Sequence, residues 1–151
     1  MRRYDIIFPQ GGIVVRFEVF DHTADVGIIA YGEDLKEAFA NAAYGMFSQI
    51  ADLRKIKGQI SEEIDVQSSD QEALLVDWLN ELLYISDVEH IIFSKFEITE
   101  LDKTSLQARV YGEKIDLSRH QLKTSVKAAT YHMLKIETRD KGAKVQFILD
   151  I

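Results

Sequence analysis

Five consecutive residues, Asp21-His22-Thr23-Ala24-Asp25, place two carboxylates and an imidazole in one short break between apolar segments. Carboxylate oxygens are the donors preferred by hard cations such as Ca2+ and Mg2+, so the loop can converge on an ion. Aspartate between strands is also a common turn former, because its side chain bonds to nearby backbone. The second acidic point is the chain end. Leu149-Asp150-Ile151 continues an alternating strand pattern to the last residue, which sets the Asp150 side chain beside the Ile151 α-carboxylate. Such neighbours repel unless a cation or basic group neutralises them; the bland reading is an acidic tail in solvent.

Other chemistry is less concentrated. The four histidines, His22, His90, His120 and His132, are scattered and show no HExxH spacing, which argues against a zinc-protease site. His132 falls on the apolar face of its predicted strand and is expected as a hydrogen-bonded core residue, with ligand or base as the alternative. No G-x-S-x-G or P-loop occurs, and Gly11-Gly12 and Gly27 lack the spacing of a phosphate cradle. Lys127 is flanked by apolar residues; it reads as a surface lysine or as one poised over a phosphate or carboxylate. The chain has no cysteine, which excludes a disulfide framework, a thiolate nucleophile and a zinc–thiolate centre.

Alternating patterns predict strands at 13–20 and 26–31 on either side of the acidic loop, and further strands at 60–66, 91–101, 105–111, 126–137 and 145–151. In the 126–137 segment Val126, Ala128, Thr130, His132, Leu134 and Ile136 share a face. Two segments change to the helical period. The first, Glu33 to Ala51, has an apolar stripe from Leu35 to Ile50 and a capping-box-like start at Asp34 and Glu37. The second opens at Ser69 with Glu72 and carries Leu74, Leu75, Trp78, Leu79, Leu82 and Leu83, which gives Trp78 a packing role. The expected fold is α+β, an antiparallel or mixed sheet with two main helices packed on it in a single domain.

At 151 residues, with 46% hydrophobic and 28% charged side chains, the chain has the make-up of one water-soluble domain and not of a disordered one. No apolar run approaches the ~20 residues of a membrane span, and the first residues make no signal peptide, so the cytoplasm is the expected compartment. The net charge of −7 is uneven: residues 61–100 hold one basic and 11 acidic side chains, and residues 101–151 hold ten basic and six acidic. Phosphate repulsion at the middle third opposes direct binding to nucleic acid, whereas a basic protein surface would complement it; solvated faces are the default.

Several blocks in register resemble the archease family. Phe20-Asp21-His22-Thr23-Ala24-Asp25-Val26-Gly27, Ala30-Tyr31-Gly32 and Leu35-Lys36-Glu37-Ala38-Phe39 are similar to its N-terminal half. Leu74 through Leu83 is similar to its second helix. Gly112-Glu113, His120, Val126-Lys127-Ala128, Thr130-Tyr131-His132 and Asp150-Ile151 are similar to its C-terminal half. The resemblance spans 17–151 and leaves residues 1–16 as an N-terminal extension, read as an extra strand or a poorly ordered segment. It implies an accessory protein of tRNA splicing and not an enzyme: an activator of the RtcB-type RNA ligase that promotes guanylylation and multiple turnover. It further implies a divalent metal, calcium or another dication, held by Asp25, Asp150 and the terminal carboxylate of Ile151. Lys127, Asp21 and His22 are candidate contacts to phosphate or partner. The alternatives are a chaperone or specificity modulator of a tRNA methyltransferase and, further off, a metal-dependent hydrolase. Thr124-Ser125 and Lys144 depart from the family pattern, at surface and strand-pairing positions.

Overall fold

The protein is described as a computed structural model covering residues 2–7 and 13–151. In chain order its elements are β1 (Arg2–Ile7), β2 (Ile13–His22), β3 (Asp25–Gly32), α1 (Leu35–Ser48), a 3-10 turn (Leu53–Lys55), β4 (Ile60–Gln67), α2 (Gln71–Glu89), β5 (Ile91–Leu101), β6 (Ser105–Lys114), β7 (Ala128–Arg139) and β8 (Gly142–Asp150). The strands divide between two sheets rather than one. The larger has the order β1-β2-β3-β8-β7 and the smaller β4-β6-β5; every pairing is antiparallel. The α+β expectation is met, with α1 packed against β3 of the large sheet and β5 of the small one.

The helices form where the periodicity places them, and their caps have local causes. Asp34 accepts the Glu37 N–H at 2.9 Å, while the Glu37 carboxylate takes the Glu33 N–H at 3.3 Å, so two orphan donors are satisfied at the start of α1. The cap of α2 is Asp70, one residue beyond the expected Ser69: its side chain accepts the Ala73 N–H at 2.8 Å. A carboxylate suits the positive end of a 19-residue helix better than a hydroxyl does. That helix stops at His90, whose φ of 56° is left-handed and returns its N–H to the Ser86 carbonyl. Trp78 is fully buried and donates its indole N–H to the Phe39 carbonyl at 3.0 Å, a tie between α2 and α1. Its packing role stands, and the N–H is satisfied as burial demands.

Inner faces of the large sheet supply Phe17, Val19, Ile28, Ala30, Val145, Phe147 and Leu149 to a core shared with Phe39, Met46, Phe47 and the Leu stripe of α2. Burying a side chain of this class contributes about 1.5–3 kcal/mol. On the outer face the close approach is at Gly27, where a Cβ would lie 2.1 Å from the Phe20 ring. Only glycine lets that aromatic lie flat over β3.

β7 departs from its sequence pattern. It begins at Ala128, and its pairing with β8 slips between Thr130 (opposite Ile148) and Lys135 (opposite Gln146). Met133 takes a φ of 55° in the slipped segment, and its carbonyl accepts the Gln146 side-chain N–H at 2.9 Å. Extra residues on one strand break period-two alternation. Hence Ala129, not Ala128, is the buried residue, and His132 is exposed rather than a core histidine.

Candidate metal site

The β2–β3 hairpin turns in two residues, Thr23 and Ala24, with Thr23 at a φ of 48°. Its closing pair is His22 and Asp25. Residues directly opposite in a ladder share a face of the sheet, and the His22 Nδ1 lies 3.9 Å from an Asp25 carboxylate oxygen. Alternation sends Asp21 to the other face, where it is exposed and 4.0 Å from the Arg2 guanidinium. The structure therefore splits the motif: His22 and Asp25 lie together, and Asp21 points away from them.

The second side of the site comes from the chain end. β3 pairs with β8 so that Val26 faces Leu149. One step further in this register, Asp25, the first residue of β3, stands across from Asp150, the last of β8. On its far side Asp150 pairs with Ala128 of β7. His22, Asp25, Asp150 and Ala128 thus form one row across four strands. The end of the chain is held in place: the Lys127 N–H donates to the Asp150 carbonyl at 2.8 Å, and the Ile151 side chain packs half-buried on the core. α2 steadies the neighbouring strand through Asn80, whose side chain accepts the Ala129 N–H at 2.8 Å and donates to the Ala129 carbonyl at 3.1 Å.

His132 also reaches this region. The slipped segment of β7 carries its ring to 5.1 Å from the His22 ring, tilted by 59°. Sequence reasoning placed His132 in the core because nothing in the residues signals the slip. Lys127 lines a different feature, a groove between α2 and the 122–128 segment shared with Asn80, Tyr84 and Leu122. Only its backbone touches the site.

The donors present fit a divalent cation. The β3–β8 register extended by one step sets Asp25 opposite Asp150, and the His22 Nδ1 atom is buried with no hydrogen-bond partner among the described residues, a polar atom that a cation would satisfy. No group of three or more His, Asp or Glu side chains among the described residues converges closely enough to hold an ion unaided. An ion held by Asp25 and Asp150 would need a further donor that is not such a side chain.

A second polar cluster was not anticipated. Glu113 and His120 are both buried. The Asp116 N–H donates to His120 Nδ1 at 2.9 Å, which assigns the proton to Nε2; that N–H donates to Glu113 at 2.6 Å. The Lys57 N–H and Arg119 also donate to Glu113. Burial pushes the Glu113 carboxyl up, but these donors together outweigh it and hold the pKa below its ordinary value. Every atom in this cluster finds a partner within the fold, so it reads as a latch fixing the 115–127 segment to β6.

Two helices and two antiparallel sheets, with Asp25 and Asp150 at one end of the larger sheet, define a small α+β protein. The same architecture occurs in the solution structure of protein 1598 of Methanobacterium thermoautotrophicum, with a TM-score of 0.78 at 41% identity over 90% of this chain and 99% of that one. Residues 17–151 match the model of the archease protein family (MTH1598/TM1083). Archeases similar to the chain include that of Methanosarcina mazei, 41% identical over 90% of this chain and 96% of that protein. That of Saccharolobus islandicus is 46% identical over 89% and 98%. The chain belongs to the archease family. No helix among the described residues is long and apolar enough to cross a membrane.

Proposed function

We propose that this protein is an accessory factor of tRNA splicing that activates an RtcB-type RNA ligase, promoting its guanylylation and repeated turnover through a carboxylate-bound divalent cation. The observation that carries this reading is the register that sets Asp25 across from Asp150 at the end of the β3–β8 ladder. Asp25, Asp150 and the Ile151 carboxylate are the oxygen donors that would hold calcium or another dication. When bound, the ion supplies positive charge able to organise phosphate oxygens or the ligase's own metals. Three donors fall short of the six to eight oxygens calcium takes, which leaves room for donors from a partner. Around this point the chain's own residues do the positioning. Lys127 and Asn80 fix β7 and the chain end, Phe20 covers Gly27 beside the site, and Lys127 offers an exposed cation to a partner or its phosphate.

The test is guanylylation of purified ligase with catalytic amounts of this protein. Wild type is expected to support many turnovers; Asp25→Ala and Asp150→Ala, folded by circular dichroism, are expected to support none. Full stimulation by both variants overturns the reading. A chaperone of a tRNA methyltransferase is the second reading, favoured by the exposed Tyr84 and Leu122 on the α2 groove. It expects protection of that enzyme from aggregation to survive Asp25→Ala.

A further inference from the structure

We infer that Arg16 and Tyr44 form an oxyanion-binding site, which takes a carboxylate or a phosphate group on the outer edge of the Arg16 guanidinium. The site is separate from the carboxylates at the end of the large sheet: Arg16 stands six residues before His22 on β2, about 20 Å along the strand. It also lies one residue before the stretch that matches the family model. Three observations carry the inference. First, β2 is bulged at this point. Phe17 pairs with Tyr4 of β1 and Val15 pairs with Asp5, which leaves Arg16 as the extra residue in the ladder. Neighbouring strand residues ordinarily point to opposite faces, and a bulge re-aims a side chain. Phe17 and Arg16 accordingly both meet Tyr44 of α1. The two aromatic rings lie 6.1 Å apart, and the guanidinium carbon sits 3.4 Å from the Tyr44 ring centre.

Second, the guanidinium is fixed on its near side. Its Nε–H donates to the Asn41 side-chain oxygen at 2.7 Å, and the buried Asn41 donates in turn to the Tyr31 carbonyl at 2.7 Å. With Nε held and one face on an aromatic ring, the outer Nη edge is pre-organised for two parallel bonds to an oxyanion. Third, no carboxylate among the described residues comes within ion-pair distance of Arg16. Burial lowers its pKa against the opposing pull of Tyr44 and Glu37, and the Glu37 carboxylate already accepts the Glu33 N–H. A guanidinium drawn partly out of water without a counter-ion gains from an oxyanion beside it. Arg16 and Tyr44 are half-buried and not sealed, so a ligand reaches them. The net charge of −7 disfavours an extended polyanion and favours a single group.

The experiment is NMR titration of the full chain with sodium phosphate and, separately, with sodium acetate, each against sodium chloride at equal ionic strength. The signals followed are the Arg16 Nε–H and the Tyr44 ring. Saturating shifts centred on Arg16, Asn41 and Tyr44 are expected with at least one of the two oxyanions. Saturation by phosphate alone identifies a phosphate ligand, saturation by acetate alone a carboxylate, and saturation by both the chemistry they share. Arg16→Lys keeps the charge and loses the fork, so it is expected to weaken binding at least about fivefold, with its amide spectrum reporting an intact fold. Shifts no larger than those chloride produces, or wild-type affinity in Arg16→Lys, overturn the inference.

Discussion

Val26 pairs with Leu149 in the β3–β8 ladder, and that register extended by one step sets Asp25 opposite Asp150, although 125 positions of sequence separate them. Like charges directly opposite in a ladder destabilise it. A cation bound between two such carboxylates would offset that repulsion. Asp25→Asn and Asp150→Asn should each leave the metal-free protein as stable as wild type or slightly more so, while removing the stabilisation a divalent ion confers on wild type. Thermal melts with and without added dication measure both halves of this prediction.

The terminal carboxylate offers a separate test. One glycine added after Ile151 keeps every side chain and moves the α-carboxylate by a residue. The loss expected is at least about tenfold in metal affinity, with the melting temperature in chelator unchanged. Equal affinity in the extended chain would remove Ile151 from the ligand set.

Asn80 mimics a neighbouring strand by making both backbone hydrogen bonds of Ala129. Asn80→Ala should cost about 1–3 kcal/mol, because the Ala129 N–H and carbonyl lose their partner. Hydrogen exchange should quicken at Ala129 and spare β4–β6. Uniform quickening across both sheets would show general loosening instead of a local clamp.

The Glu113 latch predicts an acid dependence. Its donors hold the carboxyl below its ordinary value of 4.5, so its contribution to stability is complete above that value and disappears as the pH falls through the lowered one. At neutral pH Glu113→Ala should cost about 3 kcal/mol, since it leaves His120 and the Lys57 N–H without their acceptor. The gap between wild type and variant should stay constant from pH 7 to pH 5 and then narrow. Denaturant melts across that range read it directly.

Much of this was legible in the residues, for reasons that can be named. Strands β2, β3, β4 and β8 and both helices follow simple periodicities, and the Leu/Trp stripe of α2 could bury only against a core. The two acidic points of the site were visible separately, as a loop and as a chain end. Their meeting depends on β3 and β8 being sheet neighbours, a non-local pairing that no local pattern encodes. The divided strand set was hidden for the same reason. His132 went wrong because a slip of register between Thr130 and Lys135 inverts faces without leaving a glycine or proline as a sign. The Glu113–His120 latch spans seven residues of irregular chain, where spacing carries no structural period.

The measurement closest to the central claim is Mn2+ titration of the protein followed by amide NMR, in which a bound paramagnetic ion broadens the signals around it. Broadening centred on His22, Asp25, Asp150 and Ile151 at substoichiometric Mn2+ is the predicted result. Broadening centred instead on the acidic residues between β4 and α2, Asp65, Asp77 and Glu81, or spread evenly over the acidic surface, would contradict it.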